Sequence, residues 1–99
     1  MNETGRIMAL DVGSARIGIA LSDPLGIIAS PEGAVPAEPA AEALDQLARM
    51  VREKEVRAVV IGLPRLIGGS EGQQARITRV FAGKFRELLP DEIPIFFED

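Results

Sequence analysis

The chain has 99 residues, a length that suits a single domain, and 46% of them are hydrophobic, which favours a globular fold and excludes a disordered one. It contains no histidine and no cysteine, so a disulfide, a thiolate zinc site and a histidine general base are excluded, and any chemistry must use carboxylates, hydroxyl groups or backbone groups. The formal net charge of -4 argues against a generic nucleic-acid-binding protein, because such proteins are usually basic.

The N-terminus has neither the length nor the flanks of a signal peptide, and no apolar run approaches the roughly 18 residues of a membrane span. The absence of cysteine is compatible with a reducing compartment. We therefore expect a soluble, cytoplasmic protein that has no membrane partner.

The N-terminal part of the chain predicts three strands that form an antiparallel meander. Residues Arg6 to Asp11 and Arg16 to Asp23 predict the first two strands, and the stretch "IIASPEGAV" predicts a third, weaker strand. The first strand contains the continuous apolar run "IMAL", so we expect it to be buried on both faces. It then ends in Asp11, and a buried carboxylate needs a hydrogen-bond partner, a counter-charge or a metal.

The middle of the chain predicts a helix followed by a strand. From Ala40 to about Glu55, apolar residues recur at helical spacing and predict an amphipathic helix. Its apolar positions are Leu44, Leu47, Ala48 and Val51. The apolar run from Ala58 to Ile61 predicts a fourth strand, and a helix between two strands implies a crossover to a parallel neighbour.

The last third of the chain predicts a glycine-rich loop, a second helix and a fifth strand. Ser70 and Gln73 match the S-x-x-Q capping box that begins helices. The predicted buried residues of this helix are Ile77, Phe81, Phe85 and Leu88, and the arginines on its opposite side are Arg76, Arg79 and Arg86. Residues 93–97 predict the fifth strand. The predicted order is βββαβαβ, an α/β fold with a mixed five-stranded sheet.

Carboxylates follow two of the predicted strands. Asp11 ends the first strand, and Glu98 and Asp99 end the fifth, so parallel first, fourth and fifth strands would bring these acids into one crevice. Converging carboxylates repel unless a cation holds them, and Mg²⁺ and Mn²⁺ prefer such ligands. Hydrolysis of a phosphodiester by two metals needs this arrangement and no histidine. The alternatives are that Asp11 and Asp23 are turn residues and that the terminal acids belong to a frayed chain end.

Basic residues concentrate between residues 64 and 86. They are Arg65, Arg76, Arg79, Lys84 and Arg86. Their placement fits either a strip that faces phosphates, for which arginine is well suited, or a solvated helix face.

Two motifs resemble the signatures of the YqgF (RuvX) family. The stretch "DVGSARIGIALSD" is similar to D-x-G-x-x-R-I-G-x-A-x-S-D. The stretch "IGLPRLIGGSEGQQARITRVF" is similar to G-L-P followed by G-[ST]-E-G-x-Q-A and a helix with a phenylalanine. Both keep their order and approximate separation, and the resemblance spans Arg6 to Asp99.

The resemblance implies one ribonuclease H-like domain over residues 1–99 and a nuclease that depends on Mg²⁺ or Mn²⁺. The family is described both as Holliday junction resolvases and as nucleases that mature the precursor of 16S ribosomal RNA, so the implied partner is structured RNA or branched DNA. By this resemblance Asp11 and Asp99 are catalytic, and Glu98 joins them as a metal ligand. The implied substrate-binding residues are Gly13, Arg16, Gly62, Leu63, Pro64, Glu71, Gln74, Arg76 and Arg79.

The sequence departs from the family pattern at its end. The family continues after the fifth strand with D-E-R-L-T and a last helix that carries another acid, and Asp99 matches the first residue of that motif. We therefore expect a C-terminally truncated domain that holds metal weakly and has little or no activity. Such a domain would expose apolar sheet surface, through which a homodimer could form.

Two other functions fit the sequence. Nucleotide-binding lobes of the actin and sugar-kinase type share this core and its strand, D-x-G and hairpin, although those ATPases close two lobes around the nucleotide and 99 residues supply one. A non-catalytic RNA- or ribosome-associated module would bind by shape and phosphate contacts, because few aromatic side chains remain for base stacking.

Overall fold

The computed structural model describes residues 4–64 and 71–98, which form five strands and two helices in the predicted order. These are β1 (Arg6–Val12), β2 (Arg16–Ser22), β3 (Ala29–Pro36), α1 (Ala40–Glu53), β4 (Val56–Gly62), α2 (Gln73–Leu88) and β5 (Ile95–Glu98). Arg65, Ser70 and Asp99 lie outside the described residues.

The strands form one mixed sheet in the order β3-β2-β1-β4-β5. β2 runs antiparallel to both β1 and β3, which confirms the predicted meander. β1, β4 and β5 are parallel neighbours, as the two predicted crossovers require. Leu10 pairs with Ile61, and Ile61 pairs in turn with Phe97. The carboxyl ends of these three strands therefore lie side by side at the same end of the sheet.

Both helices pack on the same face of the sheet. The crossover from β1 to β4 and the crossover from β4 to β5 advance in the same direction, and right-handed crossovers in one direction place their helices on one side. The core therefore lies between this face and the helices. Its largest fully buried side chains are Phe85, Met8, Ile17, Leu47 and Ile61.

The expectation that β1 is buried on both faces is wrong for this reason. Met8, Leu10 and Val12 point towards the helices and are buried, whereas Ile7 and Ala9 on the other face are only partly buried. Asp11 shares that second face and is exposed. The aspartate is therefore not a buried charge, and no partner is needed to offset its burial.

Helix α1 buries the predicted stripe of Leu44, Leu47, Ala48 and Val51. Neither helix is long and apolar enough to cross a membrane, within residues 4–64 and 71–98.

Helix α2 is rotated relative to the prediction. Its buried residues are Ala75, Thr78, Ala82 and Phe85. Ile77 is instead 47% exposed and, with the partly buried Phe81, lines a groove between the two helices. Leu88 is 42% exposed because the next residue, Leu89, takes the buried position.

The predicted capping box at the start of α2 is also wrong. The N-cap residue is Gly72 and the helix begins at Gln73, so Gln73 occupies the first helical position instead of the third. Gly72 has no side chain with which to cap this end.

Candidate active site

The face of the sheet opposite the helices carries a shallow cavity of about 400 Å³. Small side chains and glycines form its floor, and two carboxylates, Asp11 and Glu98, line it. The floor residues include Ala9, Gly18, Ala20, Val60 and Gly62. Because this floor is apolar and open to solvent, the two acids are the groups that give the cavity its charge.

Glycines flank Asp11 on both neighbouring strands. On β2, Gly18 pairs directly with Asp11, and a Cβ atom added to Gly18 would lie 3.7 Å from the Asp11 Cβ atom. On β4, a Cβ atom added to Gly62 would lie 3.8 Å from the Leu10 carbonyl oxygen. Because neither glycine carries a side chain, the Asp11 carboxylate is accessible from the directions of β2 and β4.

Glu98 reaches the same cavity from β5. It pairs with Gly62, and Leu10 pairs with Ile61, so Asp11, Gly62 and Glu98 follow one another across three adjacent strands. With about 4.8 Å between strands, the Cα atoms of Asp11 and Glu98 are roughly 10 Å apart, and no side chain stands between them. The carboxyl end of β5 is held by the Glu98 carbonyl, which accepts a hydrogen bond from the Leu63 N–H over 2.6 Å.

The donor set suits a hard divalent cation. Mg²⁺ is usually held by one or two carboxylates together with water and substrate phosphates, and Asp11 and Glu98 supply two carboxylates in one cavity. No group of three or more acids is found among the residues that the structure describes, and the predicted third ligand, Asp99, lies outside them. Asp11 and Glu98 therefore fit a cation site in which water and substrate phosphates supply the remaining ligands.

The turn after β1 is fixed by backbone and side-chain hydrogen bonds. The Gly13 N–H donates to the Arg16 carbonyl over 3.0 Å, and a Cβ atom on Gly13 would lie only 2.8 Å from that oxygen, so the turn requires glycine. The Gln74 side-chain amide donates to the Val12 carbonyl over 2.6 Å. Gln74 thus braces the residue that follows Asp11. Arg16 itself is exposed at the start of β2.

Arg79 connects the start of α2 to the end of β5. Its guanidinium donates to both carboxylate oxygens of Glu71, over 2.8 and 2.7 Å, and lies 4.9 Å from the centre of the Phe97 ring. The hydrogen bonds to Glu71 raise the pKa of Arg79 above its ordinary value. Phe97 precedes Glu98, so this contact orders the strand that carries the second carboxylate.

The other predicted groove residues are dispersed. Arg76 is exposed on α2, Pro64 is exposed after β4, and Leu63 is 2% exposed, so only its backbone is available to a substrate. Arg86 turns back to donate to the carbonyls of Pro90 and Ile93.

Sequence reasoning missed the roles of Phe97 and Arg86. The helical spacing placed Arg86 correctly on the side of α2 away from the core stripe, but spacing gives no information on contacts with a later loop. Phe97 is one residue of an apolar run, and nothing in that run distinguishes it from Phe96.

A mixed sheet in the order β3-β2-β1-β4-β5, two helices on one face and an exposed acid on the central strand define a ribonuclease H-like protein. The chain belongs to the RuvX (YqgF) family, described as Holliday junction resolvase, whose pattern matches residues 5–99.

Relatives from several bacteria are named as candidate pre-16S rRNA nucleases. The chain is 45% identical to one from Roseiflexus and 42% identical to one from Chloroflexus aggregans, and it covers 68% of the length of each. It is 41% identical to one from Rhodococcus opacus and covers 55% of its length. In each case at least 96% of this chain is matched.

Two solved structures share the fold at low sequence identity. RuvC of T. thermophilus, determined with a Holliday junction substrate, aligns with a TM-score of 0.57 at 14% identity over 95% of this chain and 64% of its own. A protein from Bacteroides thetaiotaomicron with an actin-like ATPase fold aligns with a TM-score of 0.55 at 9% identity over 95% of this chain and 32% of its own.

Proposed function

We propose that this protein is a metal-dependent endonuclease that hydrolyses phosphodiester bonds in structured nucleic acid. The observation that carries the proposal is that Asp11 and Glu98 line one cavity on the uncovered face of the sheet, over a floor without large side chains. The small side chains of this floor leave room for a sugar-phosphate backbone beside Asp11.

Asp11 and Glu98 are the described residues that would hold Mg²⁺ or Mn²⁺, and Asp99 is the further ligand and catalytic acid that the family pattern suggests. When bound, the cation activates water and neutralises charge on the leaving oxygen. The chain's own carboxylates fix the position of the site relative to the backbone. The glycines beside Asp11 allow the sugar-phosphate backbone to approach closely.

The remaining residues of the site position the substrate. Arg16 at the start of β2 and Arg76 on α2 are exposed cations that would contact phosphates. Gly13, Gly62, Leu63 and Pro64 would present backbone along the groove. Gln74, Glu71 and Arg79 would act at the start of α2, where the contacts to Val12 and Phe97 order both sides of the site.

We propose the precursor of 16S ribosomal RNA as the substrate. This proposal is supported by the names of relatives that are 41–45% identical to the chain. A four-way DNA junction is the alternative that the family description and the RuvC complex favour. We also propose a cytoplasmic location and a homodimer that forms through the exposed part of the sheet.

The test is Mn²⁺-dependent cleavage of a panel that contains precursor 16S RNA fragments, four-way DNA junctions and unstructured RNA. The parent chain is compared with Asp11→Asn, Glu98→Gln and the control Asp45→Asn, which changes an exposed acid on α1. The Roseiflexus relative serves as the positive control, because this chain covers 68% of its length.

We expect at most slow cleavage of structured substrates by the parent and by Asp45→Asn, because the sequence predicts a site that holds metal weakly. Asp11→Asn should reduce the rate by about 100-fold or more, because loss of one charged ligand removes a transition-state interaction worth several kcal/mol. Salt-dependent binding without cleavage, under conditions in which the relative cleaves, would instead identify a non-catalytic nucleic-acid-binding module.

A further inference from the structure

Helix α2 contacts both ends of strand β5 through two arginines. Arg86 donates to the carbonyls of Pro90 and Ile93, in the loop that leads into β5. About two turns earlier on the helix, the guanidinium of Arg79 lies over the ring of Phe97, with 4.9 Å between Cζ and the ring centre. The two arginines therefore hold opposite ends of the same strand.

Glu71 holds Arg79 in this position from its other side. The Nε and Nη2 groups of Arg79 donate to the two carboxylate oxygens of Glu71, over 2.8 and 2.7 Å. This pairing fixes the plane of the guanidinium, because a planar guanidinium pairs with a carboxylate along its edge while its face lies against an aromatic ring. The start of α2 and the end of β5 are thus connected through one side chain.

Arg79 and the candidate site lie on opposite faces of the sheet. Arg79 and Phe97 line a groove on the helix side, whereas Glu98, the next residue of β5, lines the cavity on the other face. Arg79 therefore faces away from a phosphate bound in the cavity. Its contact with Phe97 instead acts on the β5 backbone, directly before the residue that carries the second carboxylate.

We propose that Arg79 is a positioning residue of the cation site, and that it acts through Phe97 to hold the end of β5 where Glu98 reaches the cavity. The inference rests on the proposed function, because it takes Asp11 and Glu98 as the cation's ligands. It differs from the role that the family resemblance implies, in which Arg79 binds substrate. Arg86 holds the start of β5 and has no such role.

The sign of the change in cation affinity separates positioning from charge. If charge alone mattered, removing the positive charge of Arg79 would raise the affinity of the nearby site for a cation. Loss of positioning has the opposite effect, because Glu98 must then be ordered when the cation binds. A fall in cation affinity in Arg79→Ala is therefore specific to positioning.

The first measurement is the Mn²⁺ affinity of the full chain, from the electron paramagnetic resonance signal of free Mn²⁺. Arg79→Ala should weaken binding about threefold, the effect of losing one exposed cation–π contact. The control is Arg86→Ala, which removes the same charge from the same helix and should not weaken binding. Asp11→Asn identifies the fraction of Mn²⁺ that is bound at the candidate site.

The second measurement repeats this titration with variants of Phe97. Phe97→Leu removes the ring, leaves every charge unchanged and should weaken Mn²⁺ binding as Arg79→Ala does. The double variant should bind no more weakly than either single variant, because both substitutions remove the same contact. Phe97→Tyr keeps the aromatic face and should bind as the parent does. Circular dichroism checks folding, and if Arg79→Ala does not fold, Phe97→Leu decides.

The third measurement needs no metal and follows amide hydrogen exchange at the two ends of β5. The Val59 N–H donates to the Pro94 carbonyl over 3.0 Å, and the Leu63 N–H donates to the Glu98 carbonyl over 2.6 Å. Val59 and Leu63 are 0% and 2% exposed, so their exchange reports opening of the strand ends. Arg79→Ala should speed exchange at Leu63 relative to Val59 by about threefold. Arg86→Ala should instead speed exchange at Val59.

Mn²⁺ affinity in Arg79→Ala that equals or exceeds that of the parent would overturn the proposal. Additive losses in the double variant would also overturn it, as would equal effects of the two arginine variants on exchange at Leu63. A parent that binds no Mn²⁺, or binds it equally well after Asp11→Asn, would overturn the cation site of the proposed function. Exchange at Leu63 would then still support or overturn the hold of Arg79 on β5, so the two proposals fail separately.

Discussion

The side-chain amide of Gln74 donates a 2.6 Å hydrogen bond to the backbone carbonyl of Val12, and so ties the first turn of α2 to the residue that follows Asp11. The two residues are 62 positions apart in the sequence. The hydrogen bond holds the carboxyl end of β1 next to the start of α2. It links the second family motif to the first.

We predict that Gln74→Ala lowers the free energy of unfolding by about 1 kcal/mol, because the carbonyl of Val12 loses its side-chain donor. The rate of any cleavage should fall as well, since the turn after Asp11 is no longer braced. Urea unfolding followed by circular dichroism measures the first effect. Gln73→Ala is the matched control, because Gln73 is the neighbouring exposed glutamine. An equal loss in both variants would show that the hydrogen bond has no specific role.

Substitutions of Arg76 and Arg79 should have different effects, one on phosphate binding and the other on stability. Arg79 is engaged by Glu71 and Phe97, whereas Arg76 is exposed. Arg79→Ala should lower the midpoint of urea unfolding only slightly, because the ion pair is partly solvated.

Arg76→Ala should leave stability unchanged. It should weaken nucleic-acid binding similarly for all sequences and reduce the slope of log affinity against log salt by about 1. Fluorescence anisotropy at several salt concentrations measures this slope. An unchanged slope would exclude Arg76 from phosphate contact.

Ser22 is a buried polar residue whose loss should be costly. Its hydroxyl oxygen accepts from the Ile7 N–H over 2.7 Å and donates to the Asp23 carbonyl over 2.9 Å, and the residue is 6% exposed. Ser22→Ala should therefore reduce the free energy of unfolding by about 1–3 kcal/mol, because a buried N–H is left without a partner. Ser30→Ala, at an exposed position on β3, should have almost no effect in the same urea titration. Similar midpoints for the two variants would contradict this account.

Asp23 should make stability depend on pH in the acidic range. Its carboxylate accepts from the N–H groups of Ile27 and Leu25, and these hydrogen bonds, that from Ile27 foremost, lower its pKa below the ordinary 3.8. A folded-state pKa below the unfolded value gives stability that is present above about pH 4 and is lost as the pH falls through the folded value.

Thermal melts of the parent and Asp23→Ala between pH 2 and pH 7 should therefore differ most near neutrality and converge at the acidic end. A difference in melting temperature that stays constant over this range would mean that the charge of Asp23 does not contribute.

The sequence predicts the order of the strands and both crossovers because hydrophobic periodicity and turn residues are local signals. The buried face of α1 is likewise predictable from local periodicity, since Leu44, Leu47 and Val51 form one stripe that faces the sheet. The burial of β1 could not be obtained in this way. An apolar run indicates that a strand is central, but the number of covered faces depends on the direction of the crossovers.

The candidate site was predicted in part for a similar reason. The position of Asp11 at the end of a central strand is local information, and its proximity to Glu98 follows from parallel pairing. The pairing of Glu71 with Arg79 and the contact with Phe97 depend on how α2 lies across β5, which residue spacing does not encode.

We propose that Asp11 and Glu98 form one cation site on the face of the sheet opposite the helices. The most direct measurement is paramagnetic broadening of backbone amide signals by substoichiometric Mn²⁺ in the parent and in Asp11→Asn. We predict selective broadening of the signals of Asp11, Gly18 and Glu98 in the parent, and loss of this broadening in the variant. Broadening centred on the acidic loop at Asp91 and Glu92, or a pattern that Asp11→Asn leaves unchanged, would contradict the claim.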